Sequence, residues 1–298
     1  MVEHLSFVTT SERGLRHDIL PMRLYHKAKK LGIWDPRSID LRQDALDWQR
    51  CSDGEKEVIL AQTALFQAGE ESVTLDLLPL IMAVARDGQL EEEMFLTTFL
   101  WEEAKHTEFF RRFIDEVIQT PQDLHHYHTP SYRKLFYEEL PQTMYALLTD
   151  RSPQAMARAS VTYNMIVEGV LAETGYHSYS DMLEKNNLMP GLRQGIAYLK
   201  RDESRHIAYG VFLISRLVAQ DRSLWTVVEE RMNELLPLAL SFIQELGSYA
   251  DEDGYLPFGL QISDYVTYAM GQFQKRVARI ERAREQTLEM LYQLDESD

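Results

Sequence analysis

The sequence predicts an all-α protein built on a four-helix core, and three observations predict it. Apolar residues recur at helical spacing over long stretches punctuated by proline, glycine and Ser or Asp caps. No stretch shows strand alternation. Two Glu-x-x-His pairs, Glu103/His106 and Glu203/His206, sit mid-way along two of these stretches, and none of the other histidines, of nine in all, has Glu three residues before it. On a helix such a pair faces one way, so each can grip a metal ion.

Residues 1–50 read as a segment wrapped on the remainder. Pro21 opens a short helix ending near Gly32, Trp34-Asp35-Pro36 makes a turn, and Ile39–Arg50 is a second short helix. Ser52 and Glu55 form a capping box. The helix they open carries Phe66, Glu70, Val73 and Leu77, is kinked or loosened at Pro79, and ends at Asp87-Gly88. The next runs from Leu90 to about Ile118 and is broken by Thr120-Pro121. Two short helices follow, Tyr132–Leu140 and Gln142–Leu148. Ser152-Pro153 then caps and opens a helix carrying Tyr163, Glu168 and Tyr176, which stops before Asn186-Asn187. Pro190-Gly191 leads into the helix of Glu203 and His206. Two more long helices, Leu224–Leu246 and about Ile262–Tyr292, are joined through Asp251-Glu252-Asp253-Gly254, whose acids lack the alternation of a calcium loop. The expectation is one domain over 1–298, with the wrapping segment 1–50, a metal-binding core 52–218 and additional C-terminal helices 222–298.

With 298 residues, 45% of them hydrophobic, the chain can bury a sizeable core. A net charge of −16, from 31 basic and 47 acidic residues, argues against nucleic acid and anionic membranes as partners. Cys51 is the only cysteine, which excludes a disulfide framework and thiolate metal sites. No signal peptide and no membrane span is visible, so a cytoplasmic location is expected.

The two helix pairs repeat one another in function. Glu70 lies 17 residues before Asp87 and Glu103 lies 15 after Gly88. Glu168 lies 17 before Lys185 and Glu203 lies 13 after Pro190. At about 1.5 Å per residue the arms match within a turn. Each antiparallel pair therefore sets a lone Glu beside a Glu-x-x-His. Packed together, they bring four carboxylates and two imidazoles to one level. So many buried carboxylates cannot stay ionised without partners. Two divalent cations supply the balancing charge, as in di-iron and di-manganese carboxylate bundles. Oxygen ligands with imidazole suit Fe or Mn. Taken singly, Glu70 reads as a solvated face residue. Glu168 does not, because Met165-Ile166-Val167 and Gly169-Val170-Leu171 surround it. Asp202 or Arg205 is placed to orient ligands. His125, His126 and His128 read as a surface-loop cluster. By spacing alone, Tyr163, Val73 and Tyr176 are core residues.

At these residues the chain resembles the ferritin-like superfamily, and more closely the ribonucleotide reductase small-subunit group. Trp34-Asp35-Pro36 with Ile39-Asp40, the Glu70 segment through Leu77-Leu78-Pro79-Leu80, and both Glu-x-x-His motifs carry the likeness, over roughly Leu24 to Arg216. Ala68-Gly69-Glu70-Glu71-Ser72-Val73-Thr74-Leu75-Asp76, Glu103-Ala104-Lys105-His106 and Val161-Thr162-Tyr163-Asn164-Met165-Ile166-Val167-Glu168-Gly169 are similar to its ligand-binding oxidase branch. That resemblance implies a ferritin-like bundle and an oxidoreductase that activates dioxygen. It implies metal ligands Glu70, Glu103, His106, Glu168, Glu203 and His206, with Mn on the Glu70 side and Fe on the Glu168 side, di-iron being the other option. It further implies a long-chain fatty acid or similar apolar molecule with its carboxylate on the metals, an ether cross-link between Tyr163 and Val73, and a homodimer. By likeness to reductase subunits, Trp34 and Asp202 form an electron relay to His106 from a donor of unknown identity, and Tyr176 is grouped with these supporting residues. Phe110 stands where most reductase subunits carry a radical tyrosine four residues after the first metal histidine. A reductase small subunit lacking that tyrosine is the main alternative. An iron store and a purely structural bundle are the others.

Overall fold

The computed structural model describes residues 6–293. Its helices are α1 (Leu20–Leu31), α2 (Arg42–Arg50), α3 (Asp53–Arg86), α4 (Leu90–Phe113), α5 (Pro130–Arg133), α6 (Leu140–Ala146), α7 (Pro153–Ser160), α8 (Glu173–Lys185), α9 (Pro190–Gln220), α10 (Leu224–Glu245), α11 (Ile262–Arg282) and α12 (Leu288–Tyr292). Stretches of π-helix at Ile114–Ile118, Lys134–Glu139 and Val161–Ala172 extend or join them. Among the described residues the only β feature is an isolated bridge between Leu256 and Leu260. The chain is all-α, as its periodicity requires.

Four rods form the core: α3, α4, the run α7–π segment–α8, and α9. The α3 start is built as its sequence demands. Ser52 Oγ accepts the Glu55 N–H at 3.3 Å, and Glu55 Oε2 accepts the Ser52 N–H at 2.7 Å. The helix then runs unbroken through Pro79. α3 packs along α4, while the π segment Val161–Ala172 lies against α9, α10 and α11. Glycine sets the closest approaches. A β-carbon at Gly195 would fall 1.9 Å from the Phe109 ring, and one at Gly210 would fall 2.2 Å from Asn164 Cβ.

The wrapping segment does structural work at α9. Asp44 on α2 accepts the N–H groups of Gly191 (2.9 Å) and Leu192 (2.6 Å), and Asp47 accepts that of Met189 (2.8 Å). Two carboxylates from elsewhere in the chain thus satisfy the orphan donors at the start of the helix that carries Glu203 and His206.

Three boundaries differ from expectation. The second short helix starts at Arg42 because Asp40 Oδ1 accepts the Arg42 N–H at 3.0 Å, holding the chain in a turn. The helices expected at Tyr132–Leu140 and Gln142–Leu148 are one continuous run, α5–π–α6, which Thr129 caps. The helix expected over Ile262–Tyr292 is broken. α11 stops at Arg282, Gln286 is extended, and Thr287 Oγ1 caps α12 by accepting the Met290 N–H at 3.3 Å.

Candidate metal centre

The four rods converge on one buried cluster. α3 supplies Glu70, α4 supplies Glu103 and His106, the π segment supplies Glu168, and α9 supplies Glu203 and His206. None is more than 4% exposed. They form two overlapping quartets, Glu70–Glu103–His106–Glu203 and Glu103–Glu168–Glu203–His206, within each of which the ligand atoms lie within 4.8 Å of one another. Glu103 and Glu203 belong to both, which is the arrangement a pair of cations with bridging carboxylates requires.

Six of the donor atoms point inward without hydrogen-bond partners. Both oxygens of Glu103, one each of Glu168 and Glu203, and Nδ1 of His106 and of His206 are buried and accept or donate no hydrogen bond. His206 Nδ1 stands 3.0 Å from Glu103 Oε1, and His106 Nδ1 stands 3.4 Å from Glu203 Oε1. Stranded polar atoms of this kind cost about 1–3 kcal/mol each. Oxygen and imidazole donors in this number are a donor set for Fe or Mn.

The electrostatics agree. Burial pushes the Glu70 carboxyl up to about 8 and pushes Glu168 well above the usual carboxylate range, with Glu203 adding to the second. Burial also opposes ionisation of Glu103, but its contacts with His106 and His206 prevail and hold it at about 2. Burial alone would lower both imidazoles. Asp202 foremost around His106, and Glu203 foremost around His206, instead raise them well above the usual imidazole value. Divalent cations bound here would balance the carboxylates in place of protons.

Around the cluster lies a shell of crossed supports. Asp202 Oδ2 accepts Trp34 Nε1–H at 2.7 Å and meets His106 Nε2 at 3.4 Å. Glu102 Oε2 meets His206 Nε2 at 2.9 Å. The acid just before each motif glutamate thus orients the histidine of the other motif. Arg205 Nη2 donates to both Asp202 and Glu102, at 2.6 Å each. Trp34, Asp202 and His106 are in contact as expected. In the sequence, Glu102 is marked only by its place before Glu103, which repeats that of Asp202 before Glu203.

Tyr176 donates to Glu70 Oε1 at 2.7 Å. Tyr163 donates to the carbonyl oxygen of Val73 at 3.0 Å, so these two residues also meet beside the cluster. Phe110 is buried and stacks on Phe66, their centroids 5.2 Å apart. A cavity of about 130 Å³ opens onto Glu70, Glu103, Glu168 and Glu203 and is otherwise lined chiefly by apolar side chains, Val167, Leu171, Phe136 and Phe242 among them. The reading of His128 as a surface-loop residue is corrected. His125 and His126 are exposed, but His128 is buried, with Nδ1 2.8 Å from the Tyr137 hydroxyl. Burial lowers it to about 4.

Comparison with known proteins gives a consistent result. Residues 22–275 match the family model for ribonucleotide reductase, small chain. Among solved structures, the chain is similar to several forms of an R2-like ligand-binding oxidase. A tyrosine-to-phenylalanine variant with an aerobically reconstituted Mn/Fe cofactor is 39% identical over 94% of this chain and 100% of that one, with a TM-score of 0.88. A valine-to-alanine variant with an anaerobically reconstituted Mn/Fe cofactor gives the same values. A glycine-to-leucine variant, with a non-activated Mn/Mn cofactor after aerobic reconstitution with Mn and Fe, is 40% identical at the same coverage and TM-score, 94%, 100% and 0.88.

Proposed function

This chain belongs to the ribonucleotide reductase small-chain family and groups with its R2-like ligand-binding oxidases, and on that premise we propose that it is a dioxygen-activating oxidase with a dinuclear Mn/Fe site. The observation that carries the reading is the cluster itself, six residues in two overlapping quartets, five of them with stranded polar atoms, whose four carboxylates lie at the floor of an apolar cavity. Glu70, Glu103, His106, Glu168, Glu203 and His206 hold the metals, Glu103 and Glu203 being shared. Bound there, the pair supplies dioxygen binding and one-electron oxidising power.

The remaining work falls to this chain's side chains. Phe99, stacked 3.6 Å from the His206 ring, and the apolar cavity walls keep water out. Glu102 and Asp202 fix the two imidazoles through their outer nitrogens. Trp34, hydrogen-bonded to Asp202, delivers electrons toward His106. Tyr176 steadies Glu70. A long-chain fatty acid lies in the cavity with its carboxylate at the metal end. Tyr163 and Val73 would join in an ether, the phenolic oxygen bonding to Val73 Cβ as the phenolic hydrogen and the Cβ hydrogen are lost as two protons and two electrons; the two-electron oxidising power this needs is what the bound metal pair would supply. The Tyr163 contact with the Val73 carbonyl supports this pairing. A homodimer fits the exposed stripe Leu75, Leu78 and Met82 on α3.

The reductase alternative is less well supported. It lacks the usual radical tyrosine, Phe110 standing in its place. Anomalous scattering at the Mn and Fe edges, with mass analysis of extracted lipid and of tryptic peptides, tests the proposal. Expected are both metals, a fatty acid, and a Tyr163–Val73 peptide two hydrogens light after aerobic loading. Peptides that always separate would remove the cross-link, and absence of both metals would remove the oxidase.

A further inference from the structure

Tyr209 lies three residues beyond His206 on α9, so the two rings follow one another along a helix face. It is fully buried, and its phenol donates to Glu92 Oε2 at 3.0 Å. Glu92, also buried, is gripped by Arg216, whose Nε stands 3.0 Å from Oε1. Nothing in the proposed metal chemistry uses this triad.

Five tyrosines are among the chain's largest side chains under 2% exposed. Tyr132 and Tyr163 donate to backbone carbonyls, Tyr179 shares a hydrogen bond with Thr63, and Tyr176 donates to the ligand Glu70. Among these five, Tyr209 alone faces a carboxylate outside the ligand set. The difference is chemical. A phenol that loses an electron becomes a strong acid, so a base in contact decides whether the oxidation proceeds. A carboxylate takes that proton far more readily than a backbone carbonyl does. Burial pushes the Glu92 carboxyl up, which makes it the readier acceptor.

An aromatic path links the phenol to the metal cluster. The Phe99 ring stacks on His206 at 3.6 Å, Phe95 lies 6.0 Å from Phe99, and Tyr209 lies 5.1 Å from Phe95, centre to centre. Outward, Phe212 lies 6.4 Å from Tyr209 and 5.9 Å from Tyr292.

We propose that Tyr209 is a redox-active tyrosine that draws oxidising equivalents away from the His206 side of the oxidised centre. Its phenol gives one electron to the dioxygen-oxidised metal pair and its proton to Glu92. The products are a neutral tyrosyl radical, a protonated Glu92 and a centre reduced by one electron. This inference rests on the oxidase reading. When the cavity holds nothing oxidisable, the side path spares the ligands and the cavity walls.

The test uses full-length protein loaded anaerobically with Mn and Fe, mixed with dioxygen and freeze-quenched for electron paramagnetic resonance. The expected result is a tyrosyl signal that narrows when tyrosine is ring-deuterated, is lost in Tyr209→Phe, and falls at least ten-fold in Glu92→Gln, with metal content unchanged. Formation should slow in D2O, which a merely structural role for Tyr209 would not produce. A metal centre that oxidises normally with no tyrosyl signal, or with a signal surviving in Tyr209→Phe, overturns this proposal alone. A centre that never oxidises overturns the oxidase reading with it. Should Tyr209→Phe not fold, 3-aminotyrosine incorporated at position 209 decides the matter, since a radical trap at that position must then carry the signal.

Discussion

At the scale of single residues, the site depends on charge compensation inside an apolar bundle. Glu168 is the clearest case, because its carboxyl is pushed far up by burial and its one hydrogen bond comes from Asn164 Nδ2 at 3.1 Å. Glu168→Ala and His206→Ala are each expected to give folded protein holding one metal or none, by elemental analysis. Full occupancy in both would remove the ligand assignment. Glu102 carries a second expectation. It orients His206 and anchors Arg205, so Glu102→Gln should weaken metal binding by about 10–100-fold, the usual cost of losing a ligand's outer partner. Competition with a chelator of known affinity measures it. For electron delivery, Trp34→Phe keeps the packing but loses the hydrogen bond to Asp202. Stopped-flow reduction of the oxidised site should slow while metal content holds, and unchanged kinetics would count against the relay.

At the scale of elements, the π segment Val161–Ala172 decides the geometry. A π-helix turns over more residues than an α-helix, so Tyr163 and Glu168, five apart in sequence, come back to the same side. That lets one helix present both a proposed ligand and the phenol that reaches Val73. Its neighbour α9 accommodates the widened backbone only because position 210 is glycine. A methyl there would fall 2.2 Å from Asn164 Cβ. Gly210→Ala should cost about 1–3 kcal/mol through overpacking. It should also displace Asn164 and lower metal content, and calorimetry with elemental analysis reads both. A variant with native stability and native metal content would show that the segment yields without consequence.

At the scale of the whole molecule, the site costs the metal-free protein stability, and pH exposes the cost. Glu70 and Glu168 have folded pKa values above their unfolded ones, so native protein keeps protons that unfolded chain has released. Their destabilising effect grows as pH rises past about 4.3. His106 and His206 are raised as well, so the stability they add is complete below about 6.5 and is lost as pH climbs through their folded values. All four act in one direction, and metal-stripped protein should melt at progressively lower temperature between about pH 5 and 8. Glu103 and Asp202, which are depressed, matter only on the acid side, where stability is lost as pH falls toward their folded values. Loaded protein should show a much flatter profile, because cations replace the protons. Calorimetric melting at several pH values, with and without metal, checks this, and a rising profile in stripped protein would contradict it.

Much of this molecule was legible in its residues. Helical periodicity, the Ser52 capping box and the proline and glycine stops are local signals, and local sterics and hydrogen bonding act on them directly. Six acids and histidines could be grouped because helix rise converts sequence distance into height along the bundle. Other features arose only from distant contacts. The π stretch Val161–Ala172 lies where the run from α7 to α8 packs on α9, α10 and α11, and no residue pattern within it marks it in the sequence. His128 reads as a surface-loop residue because its neighbours are polar, whereas Tyr132 and Tyr137, on the helical run that follows, pack against it. Glu102 reaches His206 across more than a hundred positions, and Asp44 caps a helix from as far away. The sequence by itself determined which residues lie on which helix and at what height, since those depend on covalent neighbours. The tertiary structure alone decided which side chains meet across helices, because that depends on how rods of matched height rotate and pack against one another.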